Sequence, residues 1–80
     1  MPALMELSFL SLDKNASINR NLTRVLKIIK GSGLSYQLGQ ISGCIEGEWP
    51  EVMELATKIF HELANDNRHL HVDIRINWRA

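Results

Sequence analysis

A single cysteine, Cys44, is present in 80 residues. One thiol excludes an intramolecular disulfide and a cysteine-based zinc cluster, and it leaves no Cys-x-x-Cys pair for a metal carrier. Excess charge is lacking too, since nine basic residues balance nine acidic ones. With no basic stripe to follow a phosphate backbone, nucleic acid is not an expected partner. No apolar run approaches the roughly 18 residues that a membrane-spanning helix needs. The Met1-Pro2 start has no charged segment followed by an apolar one, as a secretory leader would. These absences predict a soluble, cytoplasmic protein that contacts neither membrane nor nucleic acid.

What remains is ordinary for a globular chain, with 45% apolar and 22% charged residues. The length predicts a single domain, 1–80. A monomer of this size buries only about 60% of its unfolded surface, so a partner subunit would help it.

Residues Leu4 to Leu12 read as a strand with apolar side chains on both faces, as in the centre of a sheet. Asp13-Lys-Asn-Ala-Ser17 is turn-rich, and Ser17 or Asn15 can cap a helix. In that helix Ile18, Leu22, Val25, Leu26 and Ile29 fall at helical spacing and predict one buried stripe. Gly31-Ser32-Gly33 ends it. Leu34–Leu38 and Ile41–Glu46, joined through Gly39-Gln40, read as a hairpin. In its second strand Ile41, Gly43 and Ile45 are expected to face the helices, with Ser42, Cys44 and Glu46 on the reverse.

Pro50 suits a first helical turn, and Glu48 and Glu51 favour the positive end of the helix dipole. Val52, Leu55, Ala56, Ile59, Phe60 and Leu63 give that helix its apolar stripe, and Asn65-Asp-Asn67 stops it. From His69 to Trp78 the alternation is strict. Leu70, Val72, Ile74, Ile76 and Trp78 share one face; His69, His71, Asp73, Arg75 and Asn77 share the other.

The predicted order is β-α-β-β-α-β. With right-handed crossovers it gives an α+β ferredoxin-like sandwich, a four-stranded antiparallel sheet in order 4-1-3-2 with both helices on one face. The other face is left open, and another subunit is expected to cover part of it.

Several constellations suggest chemistry. His69, His71 and Asp73 project from one strand face, with Glu46 two strands away, which is acceptable metal-ligand chemistry. Neighbours two apart on a strand lie roughly 7 Å from each other, however, so a solvated or subunit-facing surface is the favoured reading and no metal is expected. Cys44 beside Glu46 lacks a fixed histidine and reads as structural. Glu46 is a mid-strand carboxylate beside apolar residues, and it needs a partner if it is covered. Trp49 and Trp78 are more readily core or interface filler than stacking platforms.

Gly33-Leu-Ser-Tyr36-Gln-Leu, then Gly39, Ile45-Glu-Gly-Glu-Trp49, Glu51-Val-Met53 and the closing alternating strand resemble the small thiamine-binding-protein family. The likeness runs from Leu22 onward. The family's pattern has proline at the place of Gln40, threonine at the place of Gly43 and often proline where Leu12-Asp13 stands here, and this chain is shorter than typical members. The resemblance implies a module that binds thiamine or its hydroxymethylpyrimidine fragment and assembles as a homodimer or homotetramer through its sheet.

Such a ligand offers an exocyclic amine and ring nitrogens. Glu46 can pair with it, Ser8 or Ser42 can add a hydrogen bond, and Trp49 or Trp78 can stack on it. These roles follow from the strand pattern. The expected function is therefore non-enzymatic binding with no cofactor. The alternative is a structural or regulatory oligomer of the same fold without a small ligand. An acylphosphatase-type enzyme would need a glycine-rich loop with an arginine after the first strand, which is missing. RNA binding would want aromatic residues where Ser42, Cys44, Glu46 and Asp73 stand.

Overall fold

Strand β1 (Ala3–Ser11) sets the architecture by its two-residue period: Ala3, Met5 and Leu7 are buried, while Leu4 and Glu6 are exposed on the opposite side. The computed structural model describes residues 2–39 and 42–80. Gln40 and Ile41, expected in the hairpin turn and the strand after it, lie outside the described residues. Antiparallel strands flank β1 on both sides, β3 (Gly43–Gly47) on one and β4 (Leu70–Trp78) on the other. β2 (Ser35–Leu38) pairs with β3, so the sheet order is β2-β3-β1-β4. With helices α1 (Ile18–Gly31) and α2 (Trp49–Ala64), this is the expected β-α-β-β-α-β ferredoxin-like fold.

Helix ends form where their caps allow. Ser17 Oγ accepts the Arg20 amide at 3.2 Å, which selects Ser17 over Asn15 as the cap of α1. At the other end the Ser32 amide donates to the Ile28 and Ile29 carbonyls, and Gly33 takes φ 75° to turn the chain toward β2. α2 starts with Pro50 in its first turn, and the Glu51 carboxylate accepts the Glu48 amide at 2.9 Å.

Between helices and sheet, Met5, Ile45, Val52, Ile59 and Leu63 are fully buried. The expected five-residue stripe of α1 is not what packs. Val25 and Ile29 are buried, but Ile18 is 73% exposed and Leu22 50%, and Asn21 lies inside instead. Asn21 is in phase with Val25 and Ile29 at i+4 and i+8, so this line faces inward and the line through Ile18 and Leu22 rotates outward. Phe60 is also displaced from its expected place. It is half-exposed and tilted against His61, because Val52, Leu55, Ala56, Ile59 and Leu63 already fill the inner side of α2.

Asn21 tolerates burial because its amide is matched. It donates to Asn67 Oδ1 at 3.3 Å and accepts from Asn67 Nδ2 at 3.2 Å, and Asn67 Nδ2 also donates to the Leu63 carbonyl at 2.7 Å. Around this pair the Asp13 carboxylate accepts the Arg68 and His69 amides, each at 2.8 Å. Arg20 and Arg24 meet Asp66 at 2.5 and 2.6 Å. The connection after β1 is thereby fastened to the connection before β4.

Asn67→Ala strands the Asn21 amide in a dry site and should cost about 1–3 kcal/mol of stability. Arg20→Ala, at a partly solvated ion pair, should cost under about 1 kcal/mol. Urea unfolding of both variants checks the contrast; equal losses would contradict it.

Candidate functional site

Register assigns every side chain on the open face. One row across the sheet runs Ser35, Glu46, Leu4, Asn77, and the next runs Gln37, Cys44, Glu6, Arg75. Ser8 stands opposite Asp73, and Leu10 opposite His71. Glu6 therefore occupies the middle of the face, between Cys44 and Arg75.

Two shallow depressions break this surface. One, of about 490 Å³, is lined by Glu6, Ser8, Ser42, Asp73 and Arg75. The other, of about 270 Å³, holds Glu46 with Pro2, Leu4, Asn77 and Arg79. On the helix side lies a third hollow of about 310 Å³, an apolar groove between α1 and the hairpin lined by Phe9, Leu22, Leu26 and Leu38, with Ser8 and Ser42 again on its border.

The structure brings some of the sequence candidates together and separates others. Ser8 and Ser42 adjoin one another, one step past the last β1–β3 pair, Leu7 with Gly43. Glu46 is four residues from Ser42, on the order of 13 Å along an extended chain, so one pyrimidine ring cannot touch both. Trp78 pairs with Ala3 and so belongs to the helix-side parity, and Trp49 opens α2 beside Gly47, which also pairs with Ala3. Both indoles stand at the Ala3 end, half-exposed, away from the serines.

Sequence reasoning did not single out Glu6, which the structure puts in the open-face depression. Its signal was available: a carboxylate on the polar parity of the strand expected at the sheet centre. His71 Nε2 approaches Asp73 Oδ2 at 3.3 Å, closer than their backbone spacing suggested, because both side chains lean along the strand. Among the described residues no three His, Cys, Asp or Glu side chains converge as a metal site. None of their helices is long and apolar enough to cross a membrane.

The fold and its surface define a ferredoxin-like sandwich with one sheet face roofed by helices and the other carrying shallow polar depressions. The thiamine-binding protein family matches residues 5–80, and the chain belongs to that family. Among solved structures, a Thermotoga maritima protein provisionally assigned to thiamine biosynthesis or salvage superposes with TM-score 0.88 at 15% identity, covering 99% of this chain and 85% of that one. A Streptococcus pneumoniae protein gives TM-score 0.90 at 16% identity over 100% and 89% of the two chains. A hypothetical protein from Methanocaldococcus jannascii gives 0.88 at 19% over 99% and 81%. At such identities these likenesses speak to fold. No curated protein matches the chain.

Gly43, where the family's pattern has threonine, shares parity with Ile45 and Leu7 and so faces the helix-side groove rather than the open face. A Cβ there would meet Leu38 Cδ2 at 3.1 Å, the end of an exposed, flexible side chain. Gly43→Thr should therefore fold normally, with stability unchanged or raised by up to about 1 kcal/mol, since threonine suits a strand better than glycine. A loss above about 2 kcal/mol in thermal unfolding would show that Leu38 cannot yield.

Proposed function

We propose that this chain binds thiamine or its hydroxymethylpyrimidine fragment without converting it, as a cytoplasmic homodimer or homotetramer assembled through the sheet. The family match over residues 5–80 carries this reading. The chemistry of the open face supports it. An aminopyrimidine presents an amine donor beside ring-nitrogen acceptors, and a carboxylate with hydroxyl groups complements that edge.

Glu6, Ser8 and Ser42 line one depression and supply that set, so the carboxylate assigned to the ligand is Glu6, with Glu46 outside its reach. Glu6, Glu46 and Asp73 also give the face carboxylates to offset the positive thiazolium ring of thiamine. The adjoining apolar groove can take a methylated ring edge. Binding rather than turnover agrees with the setting of Cys44, whose cross-strand neighbours are Glu6 and Gln37, with no histidine or cation among them to activate a thiol. A lone thiol suits a reducing compartment.

The second reading, an oligomer of this fold without a small ligand, draws on Leu4 and Leu10, which are 41% and 51% exposed on the open face. Thermal shift separates the two. A ligand at 100 times its dissociation constant adds about 2.7 kcal/mol, which for a domain of this size is roughly 10 °C or more in Tm. Thiamine or hydroxymethylpyrimidine should give such a shift, Glu6→Gln should remove most of it and Glu46→Gln should leave it. No shift at millimolar concentrations of either compound overturns the ligand and leaves the second reading.

A further inference from the structure

We infer that the hollow between the turn after β1 and the turn before β4 binds the phosphate group of a small phosphorylated molecule, held by Lys14, Arg68 and the side-chain amide of Asn21.

This hollow, of about 390 Å³, opens beyond the C-terminal end of β1, between the start of α1 and the segment that follows α2. It shares no residue with the depression around Glu6 or with the apolar groove. None of its lining residues belongs to a strand.

Donors and acceptors are unequal in its wall. The two Asp13 carboxylate oxygens accept the Arg68 and His69 amides, each at 2.8 Å. Asp66 is likewise occupied, with one oxygen on Arg20 and the other on Arg24. Asn67 gives its side-chain amide to Asn21 and to the Leu63 carbonyl. The carboxylates are thus engaged by the protein itself, and several donors are not. The Lys14 ammonium and the Arg68 guanidinium have no ion-pair partner among the described residues. Asn21 is only 4% exposed. Of its two amide N–H groups one donates to Asn67, and the other meets no acceptor among the described residues.

Charge points the same way. Arg20 and Arg24 balance Asp66 and Glu62, the latter 3.7 Å from Arg24. Lys14 and Arg68 then stand against Asp13 alone, so the hollow carries a positive excess in a chain whose formal net charge is zero. A guest that fills it has to bring acceptors and negative charge. A cationic guest would meet carboxylates already engaged, and an apolar one would strip water from the free donors.

Among anions, a carboxylate offers two acceptor oxygens and a single charge. A phosphate ester offers three oxygens and more charge, which matches two cations and the spare Asn21 N–H. Pockets for small molecules begin at roughly 300 Å³, so a hollow of this size has room for the rest of an ester as well as for its phosphate. The assignment does not rest on the thiamine reading, and it concerns a different part of the molecule.

Titration of the full chain with glycerol phosphate and with inorganic phosphate at low ionic strength, followed by amide-resolved NMR, tests it. The Asn21 side-chain amide should shift, and the Glu6 and Ser8 amides should not. Lys14→Ala and Arg68→Ala should each raise the dissociation constant roughly tenfold with an unchanged circular dichroism spectrum. Arg68→Ala keeps the backbone bond to Asp13. Lys27→Ala, on α1 outside the hollow, should leave the affinity unaltered, and added salt should weaken binding. No shift at Asn21 with either compound at millimolar concentration, undiminished affinity in Lys14→Ala and Arg68→Ala, or an equal loss in Lys27→Ala would each overturn the site. Inorganic phosphate binding as tightly as glycerol phosphate would overturn the assignment to an ester.

Discussion

Everything in this molecule depends on β1 being sealed on one side only. Ala3 and Met5 have no exposed surface and Leu7 has 4%, while the intervening Leu4 and Glu6 lie in the open. A slip of one residue in its pairing would send Leu4, Glu6 and Ser8 under the helices and bring Met5 to the surface, burying a carboxylate without a partner. The register is held against that slip by the side chains that meet Met5 across the ladder, Ile45 on one strand and Ile76 on the other. The same constraint creates the open face, because residues excluded from the core by parity are free to be polar and to do chemistry.

Much of the architecture was legible in the sequence, and the reason is periodicity. The strict alternation from Leu70 to Trp78 and the glycine and asparagine stops fix element type and order without knowledge of neighbours. Periodicity does not say which side of a helix its neighbours occupy. In α1 the line through Ile18 and Leu22 is as apolar as the line through Val25 and Ile29, and it is contacts distant in sequence, core packing of Val25 and Ile29 and the Asn21–Asn67 pair 46 residues apart, that accompany the inward turn of the second. The site was half legible for a similar reason. Parity correctly puts Ser42 and Glu46 on one face, but it does not measure distance along the strand or show that Glu6 lies between Cys44 and Arg75.

An 80-residue domain leaves little margin of stability, and part of its exposed apolar surface belongs to the strands. On the helix side Ile74 and Trp78 lie along one edge strand, and on the other face Leu4 and Leu10 lie on the central strand. These are opposite faces of the sheet.

Where a small guest would sit follows from how the hollows adjoin. The polar depression around Glu6 and the apolar groove between α1 and the hairpin share Ser8 and Ser42 as a common border. A purely apolar molecule would gain from the groove but leave Glu6 and the two hydroxyls hydrated beside it. A small, highly charged anion would meet Glu6 and Asp73 with only Arg75 to offset them. A planar ring with one hydrogen-bonding edge and one methylated edge can satisfy both hollows at once, and that is the shape of an aminopyrimidine. Gly43 strengthens the argument, since the absence of a side chain there keeps the groove open at the step where it meets the serines. On the proposed reading the discriminating chemistry would lie at the hairpin end of the sheet, on residues whose proximity arises from strand pairing rather than from closeness in the chain.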